Sequence, residues 1–291
     1  MAKRRYGRYT VETSNEDRIL FPDADLTKGE LIDHYEAVGS VMVPHVKDRP
    51  LSMKRFPEGI EKDGFFQQKS ESYFPDWIER VEVAKEDGRI THAMANKTAT
   101  LVYLAQLGTI TPHVWLSRVD DLQKPDQIIF DLDPPEGGDF GDVRTAARNV
   151  RDYLEEHDLK TYVMTTGSKG LHVRAPIRRD HTFDEVRNRL REMAADLAEC
   201  YPDALTVEHR KNKRAGRVYL DILRVAYGQT AVPPYAVRAR KDAPVATPLE
   251  WSELDDVGSA SFTIRDIAKR LDEVGDPWEG MFKHARSLSL S

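Results

Sequence analysis

The segment Gln127-Ile128-Ile129-Phe130-Asp131-Leu132-Asp133-Pro134-Pro135 runs an apolar strand directly into two carboxylates, and two prolines end it. Strand side chains alternate, so Asp131 and Asp133 project from one face while Leu132 packs into the other. Carboxylates held this close raise each other's pKa unless a cation binds them together. Hard divalent ions such as Mg²⁺ or Mn²⁺ take such oxygen ligands. A calcium loop counted from Asp131 needs an oxygen ligand at its fifth position and glycine at its sixth. This chain has Pro135 and Glu136 there, which excludes that site. An ordinary turn at a strand end stays open as the other reading.

Outward from this segment, helices and strands are interspersed. Four Thr residues are followed three positions later by an acid: Thr27 to Glu30, Thr182 to Glu185, Thr247 to Glu250 and Thr263 to Asp266. The first three match a capping box and the fourth is a variant with Asp. The spacing predicts a helix after Thr27, with Leu31, Tyr35 and Val38 on its apolar stripe and an end near Gly39. Another runs from Thr182 to about Cys200. Further helices are expected over 142–157, with Val143, Ala146, Val150 and Leu154 buried, and over 99–107 before Gly108. Strands are expected over 110–116, 127–133, 161–165, 171–175, 218–223 and 234–238. Several of these are joined by turns too short for a crossover helix. The fold class is therefore α+β with largely antiparallel sheets.

Other residues have chemistry to offer. In Arg217-Val218-Tyr219-Leu220-Asp221-Ile222-Leu223-Arg224, Asp221 interrupts an apolar strand and points away from Val218, Leu220 and Ile222. Burying a lone carboxylate is costly without a pair or a metal. An ion pair with Arg224 is the simpler alternative. Thr165-Thr166-Gly167-Ser168-Lys169-Gly170-Leu171-His172 is a glycine-flanked turn carrying N–H groups, a hydroxyl and an ammonium, a set that suits a triphosphate. It lacks the spacing of a Walker A loop, and an uncommitted turn is the other reading. Phe65 and Phe66, placed in a loop after Gly64, offer rings for base stacking. His113 alternates with Trp115 in a strand, where a structural histidine is the default. Arg238 and Arg240, two apart, would reach one face and clamp phosphates.

Composition sets the outer limits. The 291 residues are 40% apolar and 32% charged, enough apolar content for a globular core. The single cysteine, Cys200, excludes an intramolecular disulfide and a cysteine-based zinc site. No run of roughly 18 apolar residues exists, so no membrane-spanning helix is expected, and Met-Ala-Lys-Arg-Arg-Tyr opens no signal peptide. The expected location is cytoplasmic, with the nucleoid. A formal net charge of −6 means that nucleic-acid binding requires segregated charge. Basic clusters exist at Lys3, Arg4, Arg5 and Arg8, at Arg210, Lys211, Lys213, Arg214 and Arg217, and at Arg238, Arg240 and Lys241. Acidic Glu250 to Asp256 would lie off that path.

Taken in order, Phe65-Phe66-Gln67, His113-Val-Trp-Leu-Ser-Arg118, Asp131-Leu-Asp133-Pro, Gly167-Ser-Lys-Gly-Leu-His172, Leu-Asp221-Ile-Leu-Arg224 and Pro-Tyr-Ala-Val-Arg238-Ala-Arg240 form a set. It resembles the polymerase domain of bacterial DNA ligase D, a branch of the archaeo-eukaryotic primase superfamily. The resemblance implies a primase-like fold, with an RRM-like catalytic sheet packed beside a second, mainly antiparallel sheet and surrounding helices. It implies one catalytic domain over 1–291, with a matched core of about 13–271, a basic N-terminal segment over 1–12 and a C-terminal tail over 272–291.

It also implies roles. Asp131, Asp133 and Asp221 would hold two divalent ions, Mn²⁺ or Mg²⁺. Lys54, Thr166, Ser168, Lys169, His172, Arg224, Arg238 and Arg240 would bind the nucleotide, with His113 near a sugar that family members prefer as ribose. Phe65 and Phe66 would stack at the template. Asn15, Arg18 and Lys28 would grip a DNA 5′-phosphate, with Arg18 standing where family members commonly have Lys. The implied activity is templated addition of NTP or dNTP to gapped or broken DNA in non-homologous end joining. A separate DNA ligase and the end-binding protein Ku are its implied partners, since the chain carries no ligase or nuclease domain. A primase and a non-catalytic end-bridging module are the alternatives. The 5′-phosphate pocket favours gap filling over the first, and the intact acids argue against the second.

Overall fold

A computed structural model describes residues 2–85 and 88–290. Its contacts divide the chain into two compact units, the first of residues 1–115, 230–246 and 262–276 and the second of 116–229, 247–261 and 277–291.

In the second unit the Gln127–Asp133 strand is central. Among the described residues its sheet has six strands, in the order Leu205–Thr206, Val218–Asp221, Gln127–Asp133, Leu171–Pro176, Tyr162–Thr165 and Pro248–Leu249. The first pair is parallel and the rest antiparallel. Without its two edge strands the unit runs strand, helix, strand, strand, helix, strand, with the last strand beside the first. This is the split βαβ arrangement of RRM-like sheets. The helices, Phe140–Glu156 and Phe183–Cys200, bury the stripes Val143, Ala146, Val150, Leu154 and Val186, Leu190, Met193, Leu197. Ile128, Phe130 and Leu132 are fully buried, while Asp131 and Asp133 on the opposite face are partly exposed. Residues 277–290 pack onto this unit through the buried Trp278, Met281 and Leu288.

In the first unit a four-stranded antiparallel sheet runs Thr230–Ala231, Thr109–Trp115, Leu51–Arg55 and Phe65–Gln67. The Lys28–Ala37 helix ends at Val38 and a second, Gly39–Val46, follows at once; Thr98–Gln106 and Ile267–Val274 are also helical. Tyr35 ties this unit together. Its hydroxyl donates to the Ile110 carbonyl at 2.6 Å and accepts from the Val237 N–H at 3.1 Å.

Several expectations need correction. Thr27 and Thr182 cap their helices with complete boxes, but Thr247 does not. Pro248 holds the residue before it extended, and Thr247 instead exchanges backbone hydrogen bonds with Thr165. The turn that forms, Trp251–Glu253, is 3₁₀ and is capped by Glu250. The Thr263 hydroxyl and N–H both donate to Asp266, yet regular helix starts only at Ile267. No strand spans 234–238: Tyr235 takes φ 65°, and Val237 alone bridges to Val245. Phe65 and Phe66 lie in a short strand, not a loop. The basic segment over 1–12 is a hairpin, Ala2–Tyr6 with Tyr9–Thr13, and Arg4 is spent on Glu16, Asp33 and Glu36.

Gly170 sits where a Cβ would collide with the Leu132 carbonyl oxygen, so the 167–170 turn lies hard against the end of the Asp131–Asp133 strand. Replacing Gly170 by Ala is expected to lower unfolding free energy by about 1–3 kcal/mol, the usual cost of overpacking. Urea denaturation checks this, and an unchanged midpoint would contradict it.

Candidate active site

The second unit gathers the acids through strand register. Asp131 pairs across the sheet with His172 on one side and with Asp221 on the other. Directly opposed residues of antiparallel strands share a face, so His172, Asp131 and Asp221 form one row. The next row on the other face, Leu171, Leu132 and Leu220, is buried and holds the register. Asp221 ends its strand, two residues earlier than the sequence implied, and its Oδ1 accepts from the Leu223 N–H at 2.7 Å. The Asp131 carboxylate faces His172 Nε2 at 3.4 Å and Arg224 Nε at 3.9 Å. Arg224 thus pairs with Asp131, not with Asp221 as the simpler reading had it.

Burial, and then the charges of Asp131 and Asp221, push the Asp133 carboxyl above the usual carboxylate range, while Arg214 and Lys211 oppose the shift. Asp133 therefore feels the other two acids. In the rotamers present, no three His, Cys, Asp or Glu side chains among the described residues close around a single metal position. The donor set nevertheless fits a hard divalent ion: all-carboxylate, on one sheet face, and carrying a repulsion that a cation would relieve.

Beside the acids lies a cleft of about 470 Å³ lined by Asp133, Gly137, Lys169, Lys211, Arg214 and Ser259. The 167–170 turn reaches it through Lys169. Gly167 takes φ 60°, the Thr166 N–H and hydroxyl donate to the Gly170 carbonyl at 3.1 Å, and Ser259 Oγ donates to the Ser168 carbonyl at 3.1 Å. Lys169 is exposed at the rim and Thr166 is buried beneath it. Lys211 and Arg214 had been seen in the sequence only as part of a basic cluster. Arg214 is buried, its guanidinium 4.0 Å from the Tyr219 ring centroid and donating to the Glu208 and His209 carbonyls. Their position just before the Asp221 strand was the available signal.

The first unit carries two further groups. On its sheet, Phe65 and Phe66 are 47% and 59% exposed, and Tyr73, which the sequence reading passed over, is 58% exposed in the same open cleft. Phe66 meets His113 edge-on at 5.5 Å, and Lys54 Nζ stands 5.6 Å from the Phe66 ring. Lys54, His113 and Phe66 are thereby brought together. Arg238 and Arg240 are not aligned on a face, because the chain turns and the Arg240 N–H donates to the Arg238 carbonyl.

Asn15, Arg18 and Lys28 do come together, where the 14–18 loop wraps the start of the Lys28–Ala37 helix. Asn15 takes φ 52°, the Arg18 N–H donates to the Asn15 carbonyl, and the Lys28 N–H donates to the Arg18 carbonyl. Lys28 Nζ donates to the Ser14 carbonyl at 2.8 Å. Burial, and then the Arg18 charge, lower the Lys28 pKa. An anion is the ligand that would offset both effects. Gln106, absent from the sequence reading, grips Ser14 from both sides: its Oε1 accepts from the Ser14 N–H at 3.1 Å and its Nε2 donates to the Ser14 Oγ at 2.9 Å. A helix-terminal glutamine gives no sequence signal for such a role.

Residues 27–278 match the family described as LigD, primase-polymerase domain. The chain is 34% identical over 274 residues to the multifunctional non-homologous end joining protein LigD of Mycolicibacterium smegmatis, covering 94% of this chain and 36% of that one. It is 28% identical over 283 residues to the bifunctional non-homologous end joining protein LigD of Bacillus subtilis, covering 97% of this chain and 46% of that one. The chain thus spans less than half the length of these curated relatives. Among solved structures, it is similar to the polymerase domain of Mycobacterium tuberculosis ligase D in complex with DNA. The TM-score is 0.89 at 30% identity, with 94% of this chain and 99% of that one covered. The α+β, primase-like fold expected from the motifs is the fold of this chain.

The raised Asp133 pKa has a sign that can be measured. A carboxyl whose folded pKa exceeds its unfolded value loses stability as pH rises past the ordinary carboxylate range. At neutral pH, Asp133→Asn should therefore raise Tm by a few degrees in EDTA, and Mn²⁺ should stabilise the wild type more than the variant. A lower Tm for the variant in EDTA would contradict the repulsion.

Proposed function

This chain belongs to the LigD primase-polymerase family, and on that premise we propose that it is a template-directed nucleotidyltransferase filling gaps and extending ends during non-homologous end joining. The alignment of Asp131, Asp221 and His172 in one cross-strand row beside a cationic cleft carries the reading. Asp131, Asp133 and Asp221 would hold divalent cations, Mn²⁺ or Mg²⁺, which when bound supply charge neutralisation for attack of a primer 3′-hydroxyl on an α-phosphorus. Lys169, Lys211 and Arg214 meet the negative charge of the triphosphate from the cleft wall. The 167–170 turn brings Lys169 to that wall, with the Ser168 hydroxyl next to it in the chain, and His172 and Arg224 flank Asp131 from either side.

In the first unit, Phe65 and Phe66 provide exposed rings for stacking on a template base, with His113 and Lys54 beside them. The pocket of Asn15, Arg18 and Lys28 supports gap filling over priming, since a primase on bare template has no downstream 5′-phosphate to grip. DNA with a gap or break, and NTP or dNTP, are the proposed substrates. Ku and a DNA ligase are the proposed partners in the repair reaction. Among the described residues no helix is long and apolar enough to cross a membrane.

The test is primer extension across a 5′-phosphorylated gap, comparing ribo- with deoxyribonucleotides and Mn²⁺ with Mg²⁺. Asp131→Ala or Asp221→Ala should abolish nucleotide addition and leave binding to gapped duplex largely intact; full activity in either variant would overturn the assignment. Lys28→Ala should weaken binding to 5′-phosphorylated gaps by roughly tenfold, the value of one charge-assisted hydrogen bond. Binding to 5′-hydroxyl gaps should not change, and equal loss on both substrates would place the pocket elsewhere.

A further inference from the structure

Arg174 is a full-length charged side chain only 1% exposed, on the strand that also carries His172. Burying a guanidinium is unfavourable unless its donors are used. Residues two apart on a strand share a face, and the Arg174 Nη2 lies 3.0 Å from His172 Nδ1. Its Nη1 donates to Gln127 Oε1 at 3.2 Å, and its guanidinium carbon sits 5.6 Å from the Trp278 ring centroid. Trp278 is itself pinned by its indole N–H, which donates to the Val163 carbonyl at 3.2 Å. The guanidinium is thus held on two sides while it meets the imidazole.

We propose that Arg174 is a positioning residue that fixes the His172 proton on Nε2, so that the imidazole presents an N–H donor to the triphosphate beside Asp131. The proposal rests on the reading that a triphosphate binds in the adjoining cleft. A guanidinium has donors only, so Nδ1 must be the acceptor in this contact. A neutral imidazole has one acceptor and one donor nitrogen. The proton therefore resides on Nε2, which points at Asp131 Oδ1 across 3.4 Å. The other tautomer would set two donors against each other at Nδ1 and turn a lone pair toward carboxylate and phosphate oxygens. A second partner that fixes the ring tautomer is the usual way a functional histidine is oriented. Lysine could not reproduce the planar fork that reaches both Gln127 and His172.

Two measurements test this. In ¹⁵N NMR of the wild-type protein, His172 should show a pyridine-type Nδ1 and a pyrrole-type Nε2; protonated Nδ1 overturns the proposal whatever any variant does. ATP binding is then compared in Arg174→Met, His172→Ala and the double variant, with melting curves and gapped-DNA binding as controls. Each single change should weaken ATP binding by roughly tenfold, the scale of a hydrogen bond to a charged group. The double variant should bind no more weakly than His172→Ala, because Arg174 acts through the ring. Arg174→Lys should recover only part of the loss. Additive losses, or equal loss of ATP and DNA binding, would show a general structural role and overturn the proposal. Wild-type protein that binds no ATP would instead remove the functional reading, while the NMR result would stand on its own.

Discussion

The antiparallel register that sets Asp131 between His172 and Asp221 is the constraint on which the rest of the second unit depends. A slip of one residue in the Val218–Asp221 strand would turn Asp221 into the apolar face and Leu220 out of it. What prevents the slip is the row behind the acids, Leu171, Leu132 and Leu220, each buried. Burying a leucine is worth about 1.5–3 kcal/mol, whereas two carboxylates near a surface repel by about 1–4 kcal/mol. With Ile128, Phe130 and Val173 adding to the same core, the apolar face outweighs the repulsion and the acids are kept together. Gly170 then brings the 167–170 turn against the same strand end, because nothing larger fits beside the Leu132 carbonyl.

The first unit follows a different logic. Its candidate DNA contacts sit on loops and strand ends braced from behind by buried polar contacts, as Gln106 braces Ser14 and Arg55 braces Phe65 and the Leu107 carbonyl. Lys28 is buried near the Arg18 charge, with its ammonium donating to the Ser14 carbonyl. The aromatic pair lies on an edge strand, where both rings stay exposed.

Much of this was legible in the sequence because local rules and tertiary packing agree. The Gln127–Asp133 strand, the helix ending at Cys200 and the boxes at Thr27 and Thr182 follow from periodicity and capping alone. Where they disagree, tertiary pairing wins. Thr247 has the spacing of a cap, but Pro248 and Thr165 make it a strand residue, and the left-handed turn at Tyr235 breaks an otherwise strand-like run. The acids were found because carboxylates at the end of an apolar strand are anomalous. Arg174, Lys211, Arg214 and Gln106 were not, because nothing in a linear chain distinguishes a buried brace from a surface side chain. Arg174 came nearest to being visible, two residues from His172 in a strand whose other members are apolar.

The central claim is that carboxylates from two separate strands act as one cation site. Titration of the protein with Mn²⁺, followed by electron paramagnetic resonance of the free ion, tests it most directly with wild type, Asp131→Asn and Asp221→Asn. Loss of tight Mn²⁺ binding in both variants to a similar degree is the predicted result. Wild-type affinity in Asp221→Asn, with loss confined to Asp131→Asn, would show that the strand bearing Asp221 is not part of the site.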